Sequence, residues 1–312
     1  MLHRSFRQLP LLLSLFALLS VGGFATTVRA QETAPEKAGT EEHAAVLPLK
    51  PPVLFQVGKF TVTNSMMVTW LVAAGIIFLA QIATRKIKPV PTGLQNFWEW
   101  MVESLYNFLE GMLGRQLVKK TFWFFATIFI FILFLNWFSL IPGVGTIGWG
   151  HEAAGGFEVT RPLLRGANAD LNLTFAMACV FFGCWIVWAL QMNGPGGVLM
   201  HLFAPKGETK GLLKILMIFI FFMVGWIEIV TILFRPISLG FRLFGNNYAG
   251  EIMMESMAVA GGHFFAWLIS IPFYFLEVLV GFVQALVFML LTAVFTLLMA
   301  PHEPGHGEAA HH

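Results

Sequence analysis

The sequence predicts an all-α integral membrane protein of about five membrane helices and one interfacial helix. Three observations carry that prediction. The 312 residues are 57% hydrophobic and only 12% charged, with 33 Phe and a mean hydropathy of +0.75, whereas soluble domains carry about 25% charged residues. Five apolar runs are long enough to cross a bilayer, which takes about 20 residues. Lys and Arg gather beside those runs instead of forming a stripe interleaved with aromatics, and the net charge is only +2, which excludes a nucleic-acid-binding class.

Residues 1–30 have the layout of a secretory signal: Arg4 and Arg7, then an apolar run from Leu11 to Ala25, then Val28-Arg29-Ala30 as a small-residue cleavage site. A retained anchor is the alternative. Either way the chain from Gln31 starts outside the cytoplasm. Residues 31–52 are Pro/Ala/Glu-rich and read as a flexible polar extracytoplasmic tail, and 53–300 as the membrane domain. Its first span runs from Thr63 to Ala83 and stops at Arg85, Lys86 and Lys88. Between Leu94 and Leu117, Phe97, Met101, Leu105, Phe108 and Met112 recur at helical steps, with Glu99, Glu103 and Glu110 elsewhere around the wheel. That pattern fits an amphipathic helix along the cytoplasmic interface, with a partner-binding helix as the other reading.

The second span, Phe122 to Ile141, follows Lys119-Lys120, and the third runs from Leu171 to Met192. The fourth starts near Leu216 after Lys206, Lys210 and Lys214, and the fifth covers His263 to Met299. The loops after the first and third spans hold most of the Lys and Arg, which places them in the cytoplasm. The loop 142–170, with Arg161 and Arg165, is then outside, the N-terminus outside and the C-terminus inside. The last two spans, if continuous, exceed 35 residues and must tilt steeply in hydrocarbon about 30 Å thick. Residues 301–312 read as a polar cytoplasmic tail. Cys179 and Cys184 lie in one apolar run, form neither a CxxC nor a disulfide within one helix, and read as core.

Charge inside the fourth span is the feature that packing explains least. Ser238, Arg242 and Asn246 share one helical face. Arg235 and Glu228 lie within about 40° of that face at 100° per residue, and these two also fit a buried structural pair. An ionisable group inside a membrane helix is a functional-site candidate. Pro236 is expected to kink the helix near Ile232. Gly240, Gly245 and Gly250 are expected to leave a groove for a neighbouring helix. On the fifth span Glu277 and Gln284 share a face. If Gly261-Gly262 turns an antiparallel hairpin, counting from the turn puts Asn246 level with Glu277 and Arg242 level with Gln284.

The run PISLGFRLFGNNYAGE, with Gln284 in FVQALVFMLLT, resembles subunit a of the F-type ATP synthase membrane sector. The likeness is strongest over Glu228–Leu298 and extends, more loosely, through Ala169-Asp170-Leu171-Asn172 back to the first span. It implies one spanning helix, an interfacial helix, a spanning hairpin, and two long inclined helices packed as a hairpin against a rotating ring of subunit c. It implies as partners the c-ring, peripheral-stalk subunit b, indirectly the F1 head, and membrane lipid, in a bacterial plasma (inner) membrane, with no cofactor or metal. By position in the motif, Arg242 matches the fixed charge facing the ring carboxylates. Asn246, Glu251, Glu277 and Gln284 match polar positions of the outer half-channel. Ser238 and Glu228 lie toward the cytoplasmic route, and Asp170 matches an acidic position at the outer mouth. Many members hold a histidine at one of the two positions occupied here by Glu251 and Glu277, so the resemblance implies a relay built on two carboxyls.

The function so implied is that of a proton-translocating stator subunit rather than an enzyme by itself: two offset half-channels load and unload ring carboxylates, and rotation is the output. GxxxxGK[ST] and GxSxG patterns are missing from the chain. The alternative is a stand-alone ion channel or secondary transporter, which paired inverted repeats would favour; none is visible.

Overall fold

The computed structural model describes residues 52–57, 60–85, 87–141, 143–145, 147–153, 156–203 and 212–300. The expected signal 1–30, the tail 31–52 up to its last residue, and the tail 301–312 lie outside the described residues. Six helices follow in order: α1 (Asn64–Thr84), α2 (Leu94–Leu113), α3 (Arg115–Ser139), α4 (Leu171–Phe203), α5 (Leu212–Ala260) and α6 (Gly262–Leu298). All but α2 are long and apolar enough to cross a membrane. Two short antiparallel hairpins, absent from the sequence prediction, sit in the connections: β1 (Val53–Val57) with β2 (Phe60–Thr63), and β3 (Gly148–Ala153) with β4 (Gly156–Pro162).

Helix α3 is the pillar. Phe124, Phe125, Ile128, Phe131, Ile132 and Leu135 are wholly enclosed, and α2, α1, α4 and α6 are disposed around it. Lipid tails are as apolar as these side chains, so close packing rather than expulsion from water holds the helices together. The fit is aromatic in large part: Trp188 of α4 meets Phe124, Phe125 and Trp123 edge to face at 5.5–6.2 Å between centroids, an arrangement the ring quadrupoles favour. By contrast α5 leaves many of its apolar residues exposed, among them Phe219, Trp226 and Phe234, and α1 exposes Leu71, Phe78, Leu79 and Ile82 on its outer side.

One expectation for α2 needs correction. The helix stops at Leu113 and the next begins at Arg115, because Gly114 takes φ +76°, a left-handed conformation that glycine reaches without a Cβ penalty. The face that packs on the protein is Trp98, Val102, Leu105, Leu109 and Leu113. Phe97 and Phe108, of the apolar stripe that the sequence lays along the interface, are exposed together with Trp100. α2 is therefore apolar on two sides, one toward the protein and one outward.

The outer loop reaches α4 through a short 3-10 turn, Ala167–Ala169. Asp170 then caps α4 by accepting the Asn172 N–H at 2.9 Å, while its other oxygen accepts the Ser65 hydroxyl of α1 at 2.5 Å. α4 breaks at Gly194 (φ 68°, ψ 166°) ahead of Pro195, where the third apolar run ends. Trp185 and Asn193 donate to the Phe295 and Met299 carbonyls at 3.1 and 2.8 Å, which ties α4 to the last turns of α6.

α5 runs unbroken for 49 residues, about 73 Å at 1.5 Å per residue. It passes through Pro236 as one helix, so the proline does not interrupt it. The turn to α6 falls at Gly261-Gly262, as counted from the sequence; Gly262 has φ +57°, and a Cβ on Gly261 would strike the Ala266 backbone. Pro272 lies inside α6. The far end of α3 is fastened to α6 by two side-chain donors, Asn136 to the Gly281 carbonyl at 2.9 Å and Trp137 to the Val278 carbonyl at 3.2 Å.

A Cβ on Gly281 would lie 3.0 Å from the Asn136 Cβ. Gly281→Val is expected to lower the stability of the purified chain in detergent by about 1–3 kcal/mol, seen as an earlier thermal transition. Gly75→Ala, with nothing within 4 Å of its Cβ position, is the control and leaves the transition in place.

Candidate functional site

The face of α5 that carries Ser238 and Arg242 borders an open groove of about 380 Å³, lined also by Arg235, Thr231 and, from α6, Leu291 and Phe295. Leu239 and Leu243, within about 100° of Arg242 around the helix, are buried against the core, and the charged row stands at the edge of that packed face. Arg242 is exposed, and among the described residues it makes no ion pair or hydrogen bond. Arg235 is solved differently. Its guanidinium carbon lies 4.4 Å from the Phe295 ring centroid and 6.0 Å from that of Trp185, so two aromatic faces take the cation. Glu228 is half-buried and makes no direct ion-pair contact with Arg235 among the described residues.

A second polar cluster lies nearer the α5–α6 turn. Glu251 pairs with Arg165 at 3.4 Å between Oε2 and Nε, and Arg165 is only 4% exposed. A Cβ on Gly166 would overlap the Glu251 carboxylate, so a residue without a side chain is needed there for the carboxylate to reach the loop. Glu255 follows one turn later on the same helix, half-buried. Glu277, 8% exposed, lies against Gly250, where a Cβ would again overlap the carboxylate. Below it, Asn168 donates to Asn136 at 2.6 Å, and Asn136 donates onward to α6.

The Glu277 carboxylate reaches Gly250, one turn nearer the hairpin end than Asn246, as expected of a side chain that leans toward the N-terminus of its own helix. Asn246 and Gln284 are half-buried, and no hydrogen bond joins Arg242 to Gln284 among the described residues. The two carboxyls are not hydrogen-bonded to each other: Glu251 turns to the loop, Glu277 to its neighbour helix. The three glycines do not make one groove either. A Cβ on Gly240 would lie 3.1 Å from the Phe175 ring of α4, Gly250 receives Glu277, and Gly245 faces open space. Asp170 is drawn into the α1–α4 tie described above. Arg165, Glu255, Asn136 and Asn168 were not singled out in the sequence. Arg165 beside a glycine in a charge-poor loop was the available signal, whereas Asn136 sits unmarked in a Phe-rich run.

The description ATP synthase A chain belongs to the family whose model matches residues 66–296. The chain belongs to the ATP synthase A-chain family. It is similar to the ATP synthase subunit a of Pseudomonas putida, 32% identical over 252 residues, covering 76% of this chain and 83% of the relative. It is also similar to those of Geobacter sulfurreducens, 33% identical over 228 residues (73% and 83% covered), and Gloeobacter violaceus, 29% over 266 residues (85% and 95%). An ATP synthase A chain is a non-catalytic membrane subunit of its complex, engaged in ATP synthesis and proton transport. With five apolar helices it is a multi-pass protein of the bacterial inner membrane.

If the Arg165–Glu251 pair is a working contact, the losses from Arg165→Gln and Glu251→Gln are not additive. Each single change is expected to destabilise the purified chain by about 1.5–3 kcal/mol. The double variant should fall short of the sum by about 0.5–3 kcal/mol. A denaturant-unfolding cycle in detergent measures this, and strict additivity would remove the pair.

Proposed function

We propose that this A chain supplies two offset half-channels and one fixed charge, Arg242, that load and unload the carboxylates of a rotating c-ring. The observation that carries the reading is the state of Arg242. A guanidinium inside a membrane-spanning helix is costly unless paired or hydrated, yet this one points away from its own core with no acidic partner among the described residues. Its counter-charge therefore comes from another molecule, and the long, little-buried α5 offers the surface for it.

Arginine suits the role because it stays protonated and presents a planar fork to a carboxylate. A passing carboxylate at 4 Å gains about 4 kcal/mol at an effective dielectric of 20. That favours the ionised form, so a ring site gives up its proton before it passes Arg242. Protons then cannot cross straight through, and each must ride the ring. Glu251 and Glu277, with Asn246 and Gln284, form the outer access route, near the loop that carries Arg165. Ser238 and the Arg235 groove lie on the inner route, toward Glu228. Asp170 belongs to the outer mouth by way of the α4 cap it forms. The stator role also calls for subunit b and, through it, the F1 head. Each elementary charge crossing is driven by about 2.3 kcal/mol per 100 mV.

Arg242→Ala and Arg242→Lys are both expected to cut proton-driven ATP synthesis in inverted membrane vesicles by roughly a thousandfold, the equivalent of about 4 kcal/mol. Synthesis retained in Arg242→Lys would count against the barrier. Steady proton conduction by the purified chain alone in liposomes would point instead to a stand-alone channel.

Glu251→Gln and Glu277→Gln are each expected to slow proton passage through the outer route while the complex still assembles, read from the rate of proton-driven ATP synthesis and of ATP-driven acidification in inverted vesicles. Normal rates in both would take them off the path.

A further inference from the structure

The apolar face of α1 runs out to the surface through Phe78, Leu79 and Ile82, all exposed. Where it ends, the chain turns toward α2 and leaves a groove of about 300 Å³. Its floor is apolar, Ile82 and Leu94, and its rim polar, Arg85, Lys88, Thr92 and Gln95. The rim is built rather than incidental. Gln95 is 8% exposed and clamps the turn from both sides: its Nε2 donates to the Lys88 carbonyl and its Oε1 accepts the Lys88 N–H, both at 3.1 Å. The one nearby carboxylate, Glu99, accepts from the same Gln95 amide at 2.8 Å and does not line the groove. Among the described residues neither Arg85 nor Lys88 pairs with a carboxylate.

We infer that this groove binds an anionic phospholipid, with the headgroup phosphodiester between Arg85 and Lys88 and the first acyl carbons over Ile82 and Leu94. Two neighbouring cations without counter-ions at the mouth of a lipid-facing helix call for a negative group at headgroup depth. A guanidinium and an ammonium together match a phosphate oxygen pair. The apolar floor, continuous with the exposed face of α1, selects a lipid over a free phosphate, which has nothing to place there. Exposed Ile87 and Val90 flank the entrance. The inference stands on α1 and α2 and is independent of the role given to Arg242.

The test uses the full-length chain in a non-ionic detergent, titrated with phosphatidylglycerol, phosphatidylcholine or inorganic phosphate. Retained lipid is counted by native mass spectrometry and protection by the thermal transition. Phosphatidylglycerol is expected to bind and protect, the other two not. Arg85→Gln/Lys88→Gln should weaken it about thirtyfold, from roughly fivefold per cation, with the lipid-free transition unchanged. Leu94→Ser, which keeps both cations, should also weaken it, and Lys119→Gln/Lys120→Gln should not. Unchanged binding in the Arg85/Lys88 variant would overturn the site. Protection by inorganic phosphate at equal concentration would make it a phosphate site. Full retention in Leu94→Ser would reduce it to diffuse surface charge.

Discussion

Hydrocarbon supplies neither hydrogen bonds nor counter-ions, and that single constraint organises the polar half of this protein. Each polar group within the spans has to be matched by another group, capped by backbone, covered by a ring, or left for a partner. Asn136 takes the backbone route, through the Gly281 carbonyl. Glu251 has a buried arginine. Arg235 rests on aromatic faces. Of the two arginines of α5, Arg242 meets none of these among the described residues, which is why the surrounding architecture reads as a frame for presenting it.

Close approach is the means by which the frame is built, and in three places it serves polar groups. Gly166, Gly250 and Gly281 each stand where a Cβ would collide with a carboxylate or with Asn136. Small residues in membrane helices usually bring two backbones together. Here they bring a side chain up to a backbone, setting Glu251, Glu277 and Asn136 at fixed depths near the turn. Meanwhile α3 is so fully enclosed by aromatic contacts that α6 has a rigid surface to lie on.

Much of this arrangement is legible in the residues. Runs of apolar residues give the five spans to within a few positions, Gly194-Pro195 marks the end of the third, and Gly261-Gly262 the hairpin turn. Helical period turns Ser238 and Arg242 to a common face. What escapes is whatever depends on two elements meeting. The face of α2 that packs on the protein escapes because the helix is apolar on two sides, one inward and one outward. Arg165 was weighed only as a loop charge, since its partner lies far along the chain on α5. The two β-hairpins left no period strong enough to notice.

The outward-facing Arg242 has a consequence for the life of the chain before its complex is complete. Alone in a bilayer, a guanidinium at that depth draws water and headgroups inward and thins the membrane around α5. On the proposed role, that local defect around the inserted subunit closes when the ring carboxylates dock. Assembly then has a readout in the lipid: an orphan copy is wetter beside α5 than an assembled one.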